Sequence, residues 1–373
     1  MRPETEQELA QMVAGAAGPL RIVGGGTRSY GLAQGEVLST AGLSGVTLYE
    51  PGALTLVARA GTPLAEVEAL LAREGQCLPF EPMDHRVLLG GEGMPTIGGV
   101  VAGNVSGPRR ISVGACRDFL LGVRFVDGMG RVLKNGGRVM KNVTGYDLAR
   151  LMAGSHGTLG VLSEVSLKVL PVARASATLA LDGLEPARAV AALSRALGSP
   201  YEVSGATHVV AGAARTLLRL EGFAASVAYR AERLSSLLAE FGDWQVLADA
   251  GDVWRDVRDV AALQGAGDVW RLSTRPSDAP ALAACVPGAD AVFDWGGGLI
   301  WLRVPEGTDL RAELCRFDGH ATLVRASPET KLRLGVFPRS AAPLAAIEAG
   351  LRARFDPRGI FTPGLMAPGG RGI

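Results

Sequence analysis

Three stretches of the chain bare their backbone in ways that suit the binding of an anion or a flat ring. The first, Gly24-Gly25-Gly26-Thr27, follows the apolar run Leu20-Arg21-Ile22-Val23. A glycine run after a strand can turn successive N–H groups toward one anion, such as a pyrophosphate, because no side chain blocks the approach or the φ angles. The Rossmann fingerprint is not met. Gly24-x-Gly26 is followed by Ser29 instead of a third glycine, and Tyr30-Gly31-Leu32-Ala33-Gln34-Gly35 reads as loop rather than helix. Taken alone, the stretch suits an anion cradle or a simple tight turn. The second runs Thr96-Ile97-Gly98-Gly99-Val100-Val101-Ala102-Gly103-Asn104-Val105-Ser106-Gly107. Its small residues leave a low surface on which a ring could lie, with hydroxyl and amide groups for a polar edge; a glycine-rich surface loop is the plainer alternative. The third, Lys141 to Leu162, takes a short helix (Asp147–Met152) into Gly154-Ser155-His156-Gly157-Thr158-Leu159-Gly160 and then into a buried strand.

Other reactive side chains are sparse. The histidines are His85, His156, His208 and His320, with no i, i+2 or i, i+4 pair to suggest a metal site. His156 sits inside the third glycine stretch, where it could touch a ligand or cap backbone. His85 lies in Glu81-Pro82-Met83-Asp84-His85-Arg86 and reads as a surface loop residue; His208 and His320 default to solvated or structural roles. Cys77, Cys116, Cys285 and Cys315 form no CxxC pair, so neither a zinc nor an iron–sulfur signature is present, and the thiols suit a reducing compartment. Of 38 basic residues, only Lys134, Lys141, Lys168 and Lys331 are lysine. That skew toward arginine weakens the case for any single arginine as a carboxylate clamp, Arg271 and Arg333 included.

The elements that must position these groups alternate. Leu9, Met12, Val13 and Ala16 recur at helical spacing; Leu20–Val23 and Leu54–Ala58 read as strands. Thr62 and Pro63 read as the N-cap and first residue of a helix that buries Leu64, Val67, Leu70 and Leu71 and ends at Gly75. Val123–Val126 and Val132-Leu133 flank Asp127-Gly128-Met129-Gly130 as a hairpin. Further on, strands at Thr216–Leu220, Leu299–Val304 and Ala321–Val324 alternate with helices at Ala187–Leu197, Ala225–Phe241 and Ala341–Phe355.

The chain has 373 residues, which at roughly 100–200 residues per domain suggests two domains or three. Charge is balanced, 38 basic against 37 acidic, which removes the electrostatic footprint of a nucleic-acid binder. Of 51 glycines, 29 fall in residues 1–172, whereas all five tryptophans (Trp244, Trp254, Trp270, Trp295, Trp301) fall later. This shift places a boundary near Pro171, giving segments 1–172 and 173–373. The tryptophans read as core or interface anchors, with Trp254 and Trp270 beside arginine-rich stretches that suggest subunit contact. The acidic, helical-looking N-terminus is unlike a signal peptide, and no apolar run reaches the ~18 residues of a membrane span. A cytoplasmic protein is expected, any peripheral membrane attachment going through partners.

One extended ligand touching all three glycine loops explains them together, and a dinucleotide such as FAD has a pyrophosphate, a flat tricycle and an adenine to offer. The order GGGT, TIGGVVAGNVSG and DLARLMAGSHGTLGVLSEV resembles the FAD-binding domain of the vanillyl-alcohol-oxidase/PCMH flavoprotein family over residues 1–172. The resemblance implies an α+β fold: a PCMH-type FAD-binding domain of two α+β subdomains, followed by a smaller α+β cap-like domain. It implies pyrophosphate contacts at Gly24, Gly25, Gly26, Thr27, Thr96, Ile97, Gly98 and Gly99, a flavin neighbourhood at Ala102, Asn104 and Gly107, and cofactor lining at Gly157, Thr158, Gly160 and Val161, the last at the adenine. Some family members attach FAD to a histidine just after the first glycine loop; here the residues are Arg28-Ser29-Tyr30, so FAD is expected to bind non-covalently.

Lys141–Leu148, Asp252–Arg258, Val269–Ser273, Asp294–Gly298 and Phe355–Gly364 extend the resemblance to the E-subunit family of bacterial glycolate oxidases. That family implies oxidation of glycolate, a small 2-hydroxy acid, to glyoxylate in a complex with a D flavoprotein subunit and an iron–sulfur F subunit. The D-type relatives carry a histidine-rich metal motif that this sequence lacks. The expected role is therefore electron transfer and assembly, with no catalytic base assigned. A self-sufficient FAD oxidoreductase of another hydroxy acid or alcohol, and a scaffold with a vestigial FAD site, are the two rivals; intact glycine loops speak against the second.

Overall fold

A computed structural model describes residues 1–28, 31, 33–138, 145–247 and 250–366. The chain divides into two compact units. The first comprises Met1–Ser106, Ala115–Val172 and Arg339–Ile373, and the second Gly107–Gly114 and Ala173–Pro338. The units are thus not the two contiguous segments read from composition: the C-terminal helix Ala342–Phe355 belongs to the first unit, and a short piece of the second glycine stretch belongs to the second.

In the first unit, β1 (Leu20–Val23) and β2 (Glu36–Ser39) form a parallel pair. The helix Glu6–Ala14 packs beside them through Leu9 and Val13, in one core with Leu20, Leu38 and Phe361. Thr5 starts this helix by accepting the Glu8 N–H at 3.1 Å, which satisfies one of the first-turn donors that have no partner inside the helix. Next come β3 (Val46–Glu50), β4 (Thr55–Arg59), the short β5 (Gln76–Cys77), β6 (Leu120–Val126), β7 (Val132–Gly136), β8 (Val161–Lys168) and the short β9 (Leu170–Pro171). Among the described residues they build an antiparallel sheet in the order β3-β4-β8-β6-β7, with β5 and β9 paired separately. β8 sits at the centre with six of its eight residues buried, which explains its nearly continuous apolar character. The hairpin β6–β7 turns at Asp127, whose Oδ1 accepts the N–H groups of Met129 (3.0 Å) and Arg131 (2.9 Å).

Two local expectations change. The helix Leu64–Arg73 begins after Pro63, but Thr62 does not cap it. Its hydroxyl is buried, accepting from Gly45 N–H at 3.0 Å and donating to Arg59 C=O at 2.7 Å, so it ties two turns together instead. The second glycine stretch is not a loop throughout: Ile97–Ala102 is helical, with Thr96 as its N-cap accepting the Gly99 N–H at 3.3 Å. Glycine lowers helix propensity but also thins the helix, and Gly98 lies so close to Ala60 that a side chain there would overlap it.

The second unit is an antiparallel sheet of β10 (Ala175–Asp182), β11 (Val203–Val210), β12 (Arg215–Gly222), β13 (Gln245–Leu247), β14 (Asp268–Ser273), β15 (Asp290–Asp294), β16 (Leu299–Val304) and β17 (His320–Arg325). Their order is β13-β10-β12-β11-β15-β16-β14-β17. The helices Pro186–Leu197 and Ala224–Leu237 bury Leu193 and Leu234 against Leu179, Leu218 and Trp244. A second core gathers Trp270, Phe293, Ile300 and Leu323. All five tryptophans are buried, so Trp254 and Trp270 offer no surface for the subunit contact suggested above.

Candidate cofactor site

The first unit brings the three glycine stretches to one cavity. Gly24, Gly25, Gly26, Thr27, Thr96, Gly98, Gly99, Ala102, Gly157 and Gly160 line it, together with Ile22, Arg28, Ala33, Ala60, His156, Leu162 and Thr362. Five expected residues do not. Ile97 and Val161 are fully buried. Thr158 donates its hydroxyl to Ser155 C=O at 2.7 Å. Asn104 braces the chain by accepting the Arg117 N–H at 3.0 Å. Gly107 belongs to the second unit, where its carbonyl accepts the Trp295 indole N–H at 3.0 Å. Ser29, Tyr30 and residues 141–144 lie outside the described residues.

The glycines of the first loop serve more than one end. A Cβ on Gly25 would overlap the Met94 carbonyl, and one on Gly93 would overlap the Gly25 carbonyl, so these two backbones are in contact and a side chain would part them. Gly26 differs: its φ is +74°, and a Cβ there would meet nothing within 4 Å. Ser39 and Thr40 hold the loop from behind, donating to the carbonyls of Gly24 and Val23, each at 3.4 Å. The third stretch is pinned to the helix Ile97–Ala102: Gly154 N–H donates to Val101 C=O at 3.2 Å and His156 N–H to Ala102 C=O at 2.9 Å. Thr362, from the C-terminal segment of the unit, donates to Gly157 C=O at 3.3 Å.

The charge in this cavity comes from exposed Arg21 on β1 and from half-buried Arg28, which the sequence pattern alone does not single out. The Arg28 guanidinium donates to Gly99 C=O and reaches the space beside Gly103 that a side chain would fill. The signal was a cation directly after GGGT, hidden among many arginines. His156 stands at φ +52°. Burial, and then the nearby Arg28 charge, push its pKa down to about 4, so the ring is neutral at neutral pH. Burial likewise raises the Cys116 thiol far above its ordinary range, which keeps it unreactive. His85 is buried rather than on a surface loop. His208 is buried in the second unit with Nδ1 3.0 Å from Thr216 Oγ1. Arg333 donates to Gly307 C=O at 2.6 Å. Among the described residues no group of three or more His, Cys, Asp or Glu is placed to hold a metal ion, and no helix is long and apolar enough to cross a membrane.

The cavity's donor set fits a dinucleotide. Glycine backbone lets phosphate oxygens approach, the guanidiniums of Arg21 and Arg28 offset their charge, and Ala33, Ala60, Ala102 and Leu162 give a low apolar wall for a flat ring.

The family model of the FAD binding domain matches residues 1–136. The glycolate oxidase subunit GlcE of Escherichia coli (strain K12) is 37% identical over 355 residues, covering 93% of this chain and 92% of that protein. A D-lactate dehydrogenase of Archaeoglobus fulgidus is 29% identical over 188 residues, 48% of this chain and 40% of the relative. The glycolate oxidase subunit GlcD of Bacillus subtilis (strain 168) is 32% identical over 126 residues, 34% of this chain and 25% of the relative. A solved alkyldihydroxyacetonephosphate synthase superposes with a TM-score of 0.69 at 15% identity, covering 97% of this chain and 76% of that one, which speaks to the fold alone. Fold and sequence together define an FAD-dependent oxidoreductase with a PCMH-type FAD-binding domain. Within that class the chain belongs to the family of the glycolate oxidase subunit GlcE.

Proposed function

We propose that the chain is the E-type subunit of a glycolate oxidase complex, oxidising glycolate to glyoxylate together with a D-type flavoprotein and an iron–sulfur F-type subunit, and that it serves electron transfer and assembly there. The observation that carries the reading is the match to GlcE along 93% of this chain. FAD, non-covalently bound, would supply the electron acceptor. The backbones of Gly24–Gly26, Gly98 and Gly99 would face its phosphates, with Arg28 offsetting their charge. Gly157 and Gly160 would line its length. Arg28-Ser29-Tyr30, with no histidine, follows the first glycine loop, in keeping with non-covalent attachment.

His156 is a poor candidate for the base that removes a substrate hydroxyl proton. A neutral imidazole with a pKa of about 4 gains little by taking one at neutral pH. This supports a role in which the chemistry on the hydroxy acid depends on a partner. The test is the visible spectrum of the purified chain, followed by anaerobic addition of glycolate without and then with the D-type subunit. A flavin spectrum that bleaches only with the partner is the expected result. Bleaching by the chain alone overturns the division of labour, and a colourless chain overturns the cofactor role. Acid precipitation should leave the yellow colour in the supernatant; colour in the pellet would refute non-covalent binding.

A further inference from the structure

The cavity of the first unit is lined by two cations and no anion. Among its described lining residues only Arg21 and Arg28 carry charge, since His156 is neutral at neutral pH. The residues from Ser29 to Gln34, which follow Arg28 in sequence, are uncharged as well. A cleft lined by one sign of charge focuses the field inside it and draws in a ligand of the opposite sign.

The two cations are held differently. Arg28 is half-buried, and its guanidinium donates to Gly99 C=O, so it ties the first glycine loop to the helix Ile97–Ala102. Arg21 stands on β1 between buried Leu20 and half-buried Ile22, with its own side chain exposed. Among the described residues it makes neither an ion pair nor a side-chain hydrogen bond. The carboxylate of Glu36, which stands opposite Leu20 on β2, lies 3.9 Å from the ammonium of Met1 instead.

The strand beneath Arg21 is nevertheless fixed on both sides. β2 pairs with it along one edge. On the other, Leu20 N–H donates to Ile360 C=O at 2.7 Å and Leu20 C=O accepts the Thr362 N–H at 2.8 Å. Ile22 packs so near Gly157 that a Cβ there would stand 3.3 Å from the Ile22 Cβ. A long cationic side chain on a rigid base can turn to a ligand without breaking any contact of the folded chain. The smaller cavity lined by Arg352 and Asp356 offers no such group. There Arg352 donates to Met366 C=O at 3.2 Å, and the Asp356 carboxylate accepts the N–H groups of Ile360 (3.1 Å) and Phe361 (2.8 Å).

We propose that Arg21 is an electrostatic clamp for the dinucleotide phosphates, pairing with them from the solvent side of the cavity and adding affinity without adding to the stability of the folded chain. A pyrophosphate diester carries two negative charges. Arg28 offsets one and Arg21 the other, each guanidinium offering its planar fork to phosphate oxygens. Arg28 is also a positioning residue, because its bond to Gly99 shapes the loop. The assignment rests on the cofactor role proposed above and divides that role between two arginines.

The difference in exposure supplies the test. Salt screens an exposed ion pair far more than a half-buried one. FAD affinity of the purified full-length chain is measured by ultrafiltration at low and at high ionic strength, and the denaturation midpoint is recorded without flavin. Arg21→Gln should weaken FAD binding roughly tenfold at low ionic strength. The deficit should shrink as salt is raised, and the flavin-free midpoint should stay at the wild-type value. Arg21→Lys, which keeps the charge, should lose less affinity. Arg28→Gln should weaken binding at both ionic strengths and lower the midpoint. Arg73→Gln, which removes an exposed charge from the helix Leu64–Arg73 outside the cavity, should change neither.

Undiminished FAD binding by Arg21→Gln at low ionic strength overturns the assignment, as does a deficit that high salt leaves unchanged. An equal deficit in Arg73→Gln also overturns it, by showing that net charge alone acts. A midpoint lowered by Arg21→Gln as much as by Arg28→Gln would make Arg21 a structural residue. A wild-type chain that binds no FAD at either ionic strength overturns the cofactor role and this assignment with it. A wild-type chain that binds FAD beside an unimpaired Arg21→Gln overturns this assignment alone.

Discussion

The cavity of the first unit is built from backbone, and the sheet of the second unit is held by side chains. The first owes its shape to what is missing: Gly25 lies against the Met94 carbonyl, and Gly26 leaves open space where a Cβ would stand. The second owes its firmness to what is present, such as the buried ring of Trp295 with the guanidiniums of Arg110 and Arg271 against it. A backbone site grips with N–H groups and fails when side chains are added. A region held by packed side chains fails when they are removed. The two should therefore break under opposite kinds of substitution.

The largest effect is expected from removing a ring. Trp270 is fully buried in the core beneath the face that carries Arg271. Trp270→Ala should lower unfolding stability by roughly 3–5 kcal/mol, through lost burial and the cavity left behind. Denaturant titration checks the loss. Under folding conditions the variant should keep its flavin; if flavin leaves with the tryptophan, the two regions are not independent and the contrast fails. Adding one methyl to the first unit comes next. Gly25→Ala forces backbone against backbone, where no rotamer can give way, and should cost about 1–3 kcal/mol while emptying the chain of flavin. Flavin-to-protein ratio and denaturation midpoint should fall together.

These two regions were not equally legible in the sequence. The glycine loops stood out because glycine at fixed intervals beside strands is an unusual signal, and the structure draws ten of those residues to one cavity. Arg28, in the same cavity, escaped notice because its type is common and its long side chain reaches away from its own loop to Gly99. Thr62 was misread for a related reason. Thr-Pro before an apolar stripe is a sound helix signal, but the hydroxyl found closer partners in Gly45 and Arg59. Strands such as β1 and β16 appeared where their apolar runs placed them. The pairing of the Gly107–Gly114 piece with the later sheet could not be read, because no local pattern reports which distant strand a short helix meets. Arg271 was legible only as a residue type; its packing depends on the cross-strand partner Trp301 and on a turn at Trp295 twenty-four residues later.

Gly26→Ala separates folding from binding more finely than Gly25→Ala. Here the new methyl meets no protein atom, so the folding cost is only that of a left-handed alanine, about 1 kcal/mol. The methyl stands instead in the cavity wall. Flavin affinity, read by ultrafiltration, should fall by roughly tenfold while the denaturation midpoint barely moves. A midpoint loss as large as that of Gly25→Ala would mean that the position is packed rather than open.

The smallest effect is a pH dependence that the two units should divide between them. His156 in the cavity and His208 in the sheet both have pKa values lowered to about 4, in each case chiefly by burial. In the unfolded chain an imidazole takes its proton near pH 6.5. Between those values the unfolded chain binds the proton and the folded one does not. Stability is therefore fully present above about pH 6.5 and is lost as pH falls toward 4. Both histidines contribute to that acid limb, but only His156 faces the proposed cofactor site. Asparagine tolerates the left-handed backbone at 156, so His156→Asn removes the titrating group with little strain. It should flatten both the acid loss of stability and the release of flavin over this window. His208→Asn should flatten the stability loss and leave flavin release as in the wild type. Equal effects of the two variants on flavin release would show that acid acts on the cavity through global unfolding, and that the backbone-built site has no titration of its own.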